Sequence, residues 1–203
     1  MTIALVRDGF VESVRDVCRI SVTGVVQNGD DVADLLEFKW MCSESANELI
    51  EVSMRMDDFS SEWMHCDRIS SYIARLVAQD RPDPLYYENL FSSAMNELLE
   101  TVYLNHGSEG DLTCRVRRMD ETDVIEIGLP SDEKTSDFYT DVVSALDGRD
   151  IEDLYNAALF AAGQRDARLG MFELAVDYKA KITVLTSSGR LTLSTQIAFG
   201  GAQ

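Results

Sequence analysis

Only two histidines and three prolines occur among the 203 residues, and the four cysteines, Cys18, Cys42, Cys66 and Cys114, include no close pair. Two histidines leave few starting points for a histidine-based catalytic triad. Thiolate zinc sites bring their ligands in close pairs, so this spacing argues for small buried hydrophobes instead. His65 stands beside Cys66, but sequence neighbours point in different directions on a helix or a strand, which argues against a shared metal or nucleophilic site. No run of about 18 apolar residues is present, so no membrane span is expected. The first residues, MTIALVRDGFVESVRD, carry acidic side chains where a signal peptide needs an apolar stretch, and a cytoplasmic protein is the expectation.

Positive charge is also scarce. Eighteen Lys and Arg face 36 Asp and Glu, for a net charge of −18 and a pI near 4.3. Binding to phosphate backbones or anionic lipid relies on Lys and Arg, so nucleic-acid and membrane-surface partners are excluded as expectations. An acidic surface of this kind either keeps the chain soluble or meets a partner with a basic face.

A hydrophobic fraction of 45% suffices for a proper core, and the length suits one domain with or without an N-terminal extension. The early residues show little pattern. Arg19 to Val26 reads as a strand closed by the Asn28-Gly29 turn signal, and Asp30 as the cap of a helix reaching about Met41. From residue 48 the pattern sharpens. Ile50, Val52, Met54 and Met56 alternate with polar residues and predict a half-buried strand. Helical spacing follows over 66–79, and Arg81-Pro82-Asp83-Pro84 breaks it. A long helix is predicted over 85–105, with an apolar stripe of Leu90, Phe91, Ala94, Met95, Leu98, Leu99 and Val102.

Two strands come next, around Leu112 to Val116 and Val124 to Ile127. Gly128 and Pro130 read as strand-ending turn residues. Helices are predicted over 136–146, 150–162 and 170–179. A terminal hairpin is predicted from Lys181 to Thr186 and Leu191 to Phe199, turning at Ser187-Ser188-Gly189-Arg190.

The order of strand, helix, long helix, two strands, helices and two strands resembles that of the GHKL superfamily of ATPases. Asn96-Glu97-Leu98-Leu99-Glu100-Thr101 is similar to the N-box of bacterial anti-sigma kinases. Leu169-Gly170-Met171, with a helix ending Val176-Asp177-Tyr178, is similar to the Gly-Leu-Gly-Leu box that closes over phosphates. The aromatic segment from Trp63 to Tyr72 and the Asp153-Leu154-Tyr155 motif look like those of anti-sigma-factor-like regulators, relatives of kinases that phosphorylate STAS-domain proteins. The resemblance covers about residues 48 to 199. It implies an α+β two-layer sandwich, a mixed and mainly antiparallel sheet with helices on one face, formed by residues 48–203 after an N-terminal extension over 1–47. It also implies a homodimer, to which the extension would add a strand or a contact.

Within that resemblance, Glu97 holds the position of the base. Thr101 stands where the family has the Mg²⁺-binding asparagine, four residues on and so on the same helix face. Asn105, one turn further, is either a substitute ligand or a polar helix end. Asp132 is either a displaced partner for the adenine amino group or the cap of the next helix. Loss of the adenine hydrogen bond costs about 1 to 3 kcal/mol, roughly tenfold to a hundredfold in affinity. In the glycine box only Gly170 remains of the pair that lets backbone approach phosphate. Arg168 replaces the first glycine and is either a phosphate ligand or a surface arginine. Gly163 reads as a helix C-cap.

Three departures in three motifs lead to one expectation: a regulatory pseudo-kinase that docks a sigma factor or STAS-domain antagonist, with binding of ATP and Mg²⁺ in doubt. The alternative is an active ATP-dependent serine/threonine kinase using Glu97, Thr101 or Asn105, Arg168 and Gly170. A third reading is an unrelated α+β domain.

Overall fold

The two periodicities in the sequence settle into two layers. The computed structural model describes residues 4–6, 10–12, 18–23, 37–42, 48–107, 109–148, 150–160 and 166–199. In chain order these form β1 (Ala4–Val6), β2 (Phe10–Glu12), β3 (Cys18–Thr23), β4 (Glu37–Cys42), β5 (Glu48–Arg55), α1 (Met56–Ser61), α2 (Met64–Val77) and α3 (Pro84–Asn105). There follow β6 (Asp111–Met119), β7 (Thr122–Pro130), α4 (Glu133–Leu146), α5 (Ile151–Leu159), α6 (Leu169–Val176), β8 (Lys181–Ser187) and β9 (Arg190–Ile197).

Seven strands make one sheet in the order β4-β3-β5-β6-β7-β9-β8, and β1 pairs separately with β2. Every neighbouring pair in the large sheet is antiparallel except β3 with β5, which run parallel. The terminal hairpin therefore inserts β9, not β8, against β7. The result is the mixed, mainly antiparallel α+β sandwich that the family resemblance implies.

Side chains at every second strand position form the floor of the core. Ile50, Val52, Leu112, Cys114, Val116, Ile125 and Ile127 are buried with Phe91, Met95, Leu98 and Leu99 of α3. Each such aliphatic or aromatic side chain contributes about 1.5–3 kcal/mol on burial. Alternate positions of the central strands are polar instead. There Arg115 bonds Glu51 at 2.8 Å, and Arg117 pairs with Glu126. This alternation is that of an antiparallel sheet with one core face.

α3 starts where its sequence says it should. Asp83 accepts a hydrogen bond from the Tyr86 N–H at 3.1 Å, and Pro84 occupies the first turn, where no N–H is needed. Asp132 caps α4 in the same way. Gly110 (φ +86°) lies against Pro130, where a Cβ would collide with the proline ring, so the turn before β6 needs glycine.

Three sequence expectations change. The helix ending near Met41 gives way to β4, because Phe38 and Trp40 alternate with Glu37, Lys39 and Met41 and pair along β3. The turn at Asn28-Gly29 lies outside the described residues. Pro130 ends its strand, as expected, but Gly128 does not: β6 and β9 flank β7 there, with Gly128 opposite Thr113 and Thr192. α1 was missed: six residues are too few to show a helical period. β3 and β4, which lie within residues 1–47, belong to the same sheet as β5.

Candidate functional site

α3 presents Glu97 and Thr101 one turn apart, and α6 lies across them. The Thr101 hydroxyl donates to the Glu97 carbonyl at 2.8 Å, so its hydrogen is spent within its own helix. Thr101 is 2% exposed and Glu97 half-buried. Gly170, in the first turn of α6, meets both. A Cβ at Gly170 would stand 2.9 Å from the Glu97 carbonyl oxygen, 2.9 Å from Glu97 Oε2 and 2.9 Å from Thr101 Oγ1. Only glycine lets the two helices approach this closely. α6 and α3 thus meet in van der Waals contact at Gly170.

Arg168 does not point to a shared centre with these residues. Its guanidinium bonds Asp166 at 2.7 and 3.0 Å and lies 5.6 Å from the Phe172 ring centre. That hydrogen bond raises the Arg168 pKa and lowers the Asp166 carboxyl below its usual range.

The other two candidates are brought together elsewhere. Asn105 and Asp132 line a cavity of about 350 Å³ with Leu104, Gly107, Lys134, Thr135 and Phe138. The Asn105 amide donates to the Thr101 carbonyl at 2.7 Å. Asp132 accepts from the Thr135 N–H at 2.8 Å, and this bond holds its carboxyl below the usual carboxylate range. Its lining mixes the apolar side chains of Leu104 and Phe138 with the Asp132 carboxylate and the Lys134 ammonium.

His106, between Asn105 and Gly107, stacks on Tyr139 with ring centres 5.6 Å apart. Its Nε2 finds no hydrogen-bond partner among the described residues. Burial pushes its pKa down to about 4, against the opposing charge of Asp132.

α5 sits beyond α6, and its Tyr155 turns inward. The Tyr155 hydroxyl reaches Asp177 at 3.5 Å; burial first, then the charges of Asp177 and Glu173, raise its pKa. α6 lies between α5 and α3 in the packing, touching both.

Residue spacing did not reveal a second polar centre. Asp123, fully buried at the start of β7, accepts from Arg81 at 2.6 Å, Tyr87 at 2.7 Å and Arg118 at 2.9 Å. Its partners come from three separate segments, and only Arg118, five residues away across a strand turn, is near it in sequence. Cys66 and Cys114 are free and buried, and burial pushes both thiols up to about 12, where they are unreactive. Cys18, Cys42 and Gly163 fall outside what can be described of side chains here. Among the described residues no three His, Cys, Asp or Glu side chains are grouped to hold a metal, and no helix is long and apolar enough to cross a membrane.

No family model and no curated protein matches this chain. Among solved structures, a chain of the SiaB–SiaC complex from Pseudomonas aeruginosa is similar, with a TM-score of 0.48 and 14% identity. The similarity covers 66% of this chain and 82% of that chain. A likeness of that strength assigns no role to any residue here.

Proposed function

We propose that this chain is a GHKL-type regulatory domain that acts by docking a protein partner, a sigma factor or a STAS-domain antagonist, without turning over nucleotide. The observation that carries the reading is the contact of Gly170 with Glu97 and Thr101. In the family this chain resembles, that junction holds Mg²⁺ and phosphate. Here glycine backbone meets the helix directly, Thr101 spends its hydroxyl on Glu97, and Arg168 is engaged by Asp166. Phosphoryl transfer depends on positioned metal and phosphate ligands, whereas here Gly170 packs on α3 and Arg168 is held by Asp166. The net charge of −18 favours a partner with a basic face and speeds their encounter.

A second reading, an ATP-dependent serine/threonine kinase, is favoured by the cavity where Asn105 and Asp132 meet. Leu104 and Phe138 would flank a base there, and Asp132 would accept its amino group.

Calorimetric titration with ATP and ADP in the presence of Mg²⁺ separates the two. The regulatory reading expects no heat of binding. Micromolar binding that is lost in Asp132→Ala would overturn it in favour of the kinase.

A further inference from the structure

α5 and its C-cap, Phe160, expose apolar side chains among carboxylates. Leu154, Ala157 and Phe160 follow one another at i, i+3 and i+6 as one stripe, with Asp150 and Asp153 lying along it. All three are exposed, Phe160 to 79% and Leu154 to 38%. α5 packs on α6 beside this stripe, with Ala158 buried and Tyr155 half-buried. Phe160 alone exposes more of itself than any other large hydrophobic residue described here.

The surroundings of the stripe are acidic. Asp147, Asp150, Glu152 and Asp153 are all exposed. Residues 135–160 hold six carboxylates and one base, Arg149. A second copy of this chain would bring two such rims face to face, each on a molecule of net charge −18. Like charges so placed oppose self-association. A helix whose apolar ridge is flanked by Lys and Arg meets both features at once: its ridge packs along the stripe, and its bases answer the carboxylates.

We infer that the Leu154–Ala157–Phe160 face of α5 is the docking surface for a cationic amphipathic helix of a partner protein. This rests on the reading of the chain as a partner-binding domain and specifies which surface does the binding. It is independent of nucleotide, so the titration with ATP and the test below fail separately.

The test uses the full chain and a fluorescein-labelled synthetic helical peptide of leucine and lysine, with fluorescence anisotropy as readout. A matched peptide of leucine and glutamate is the control. The proposal expects saturable binding of the lysine peptide. Leu154→Ser and Phe160→Ser should weaken that binding about tenfold or more. Leu185→Ser, at an exposed leucine on β8, should leave it unchanged. All three positions are exposed, and circular dichroism confirms that the variants fold. Equal affinity of every variant would overturn the assignment of this face. Equal binding of the glutamate peptide would overturn the charge argument. A dimer by sedimentation that Phe160→Ser dissolves would overturn it in favour of a second copy.

Discussion

Gly170 lies against Thr101 so closely that a Cβ on the glycine would come within 2.9 Å of the threonine hydroxyl. Because one of the crowded atoms is the Glu97 carbonyl, part of α3 itself, the neighbour cannot simply swing aside. Gly170→Ala should therefore destabilise the fold by about 1–3 kcal/mol through overpacking. Urea denaturation measures this. Gly107→Ala is the control, since a Cβ there meets nothing within 4 Å. Equal midpoints for the two variants would show that α6 stands off from α3.

Asp123 supports the opposite end of α3. It is fully buried, and Arg81, Tyr87 and Arg118 all converge on its carboxylate. The Arg81 guanidinium also lies 4.4 Å from the Tyr87 ring centre. Asp123→Asn keeps the shape but leaves two guanidinium groups without their counter-charge. Removing one partner from a buried pair costs about 3–5 kcal/mol, and a shift of that size should appear in chemical denaturation. Asp57→Asn, which breaks the exposed pair with Arg55, should leave the midpoint unchanged.

How far the sequence foretold these features depended on the range of the interactions. β5, α3 and the β8–β9 hairpin follow from periodicity, because their apolar positions repeat within one element. The cap role of Asp132 is also local. By contrast, Asp123 is joined to Tyr87 and Arg81 across 36 and 42 residues, a pairing that only the folded sheet creates. The same holds for Gly170: its place in a glycine motif was visible, but not that its backbone would meet Glu97. At β4 a capping signal at Asp30 outweighed the alternation of Phe38 and Trp40, and pairing with β3 decided the outcome.

Asp132 offers a test of how its carboxylate is used. Its hydrogen bond to the Thr135 N–H satisfies one of the free donors at the start of α4. Asp132→Ala should lower stability through loss of the cap, while Asp132→Ser, another good cap, should recover most of the loss. Thermal melts followed by circular dichroism give the comparison. If serine fails to restore the midpoint, the carboxylate has a role in the cavity beyond capping.

His106 predicts a pH dependence whose direction follows from its burial. Its ordinary pKa is about 6.5, and in the folded chain burial lowers it to about 4. Between these values the unfolded chain binds a proton that the folded chain refuses, so stability rises with pH across this window. The neutral ring is thus fully compatible with the fold above pH 6.5 and increasingly penalised as the solution is acidified towards pH 4. After allowance for partial exposure, the effect is on the order of 2 kcal/mol. Carboxylates titrate in the lower part of the same window, so wild type must be compared with His106→Gln, which cannot take up the proton. Urea midpoints from pH 7.5 down to 4.5 should fall more steeply for wild type than for the variant. Parallel curves would mean that Nε2 reaches water or a partner, and that the stack on Tyr139 tolerates the charged ring.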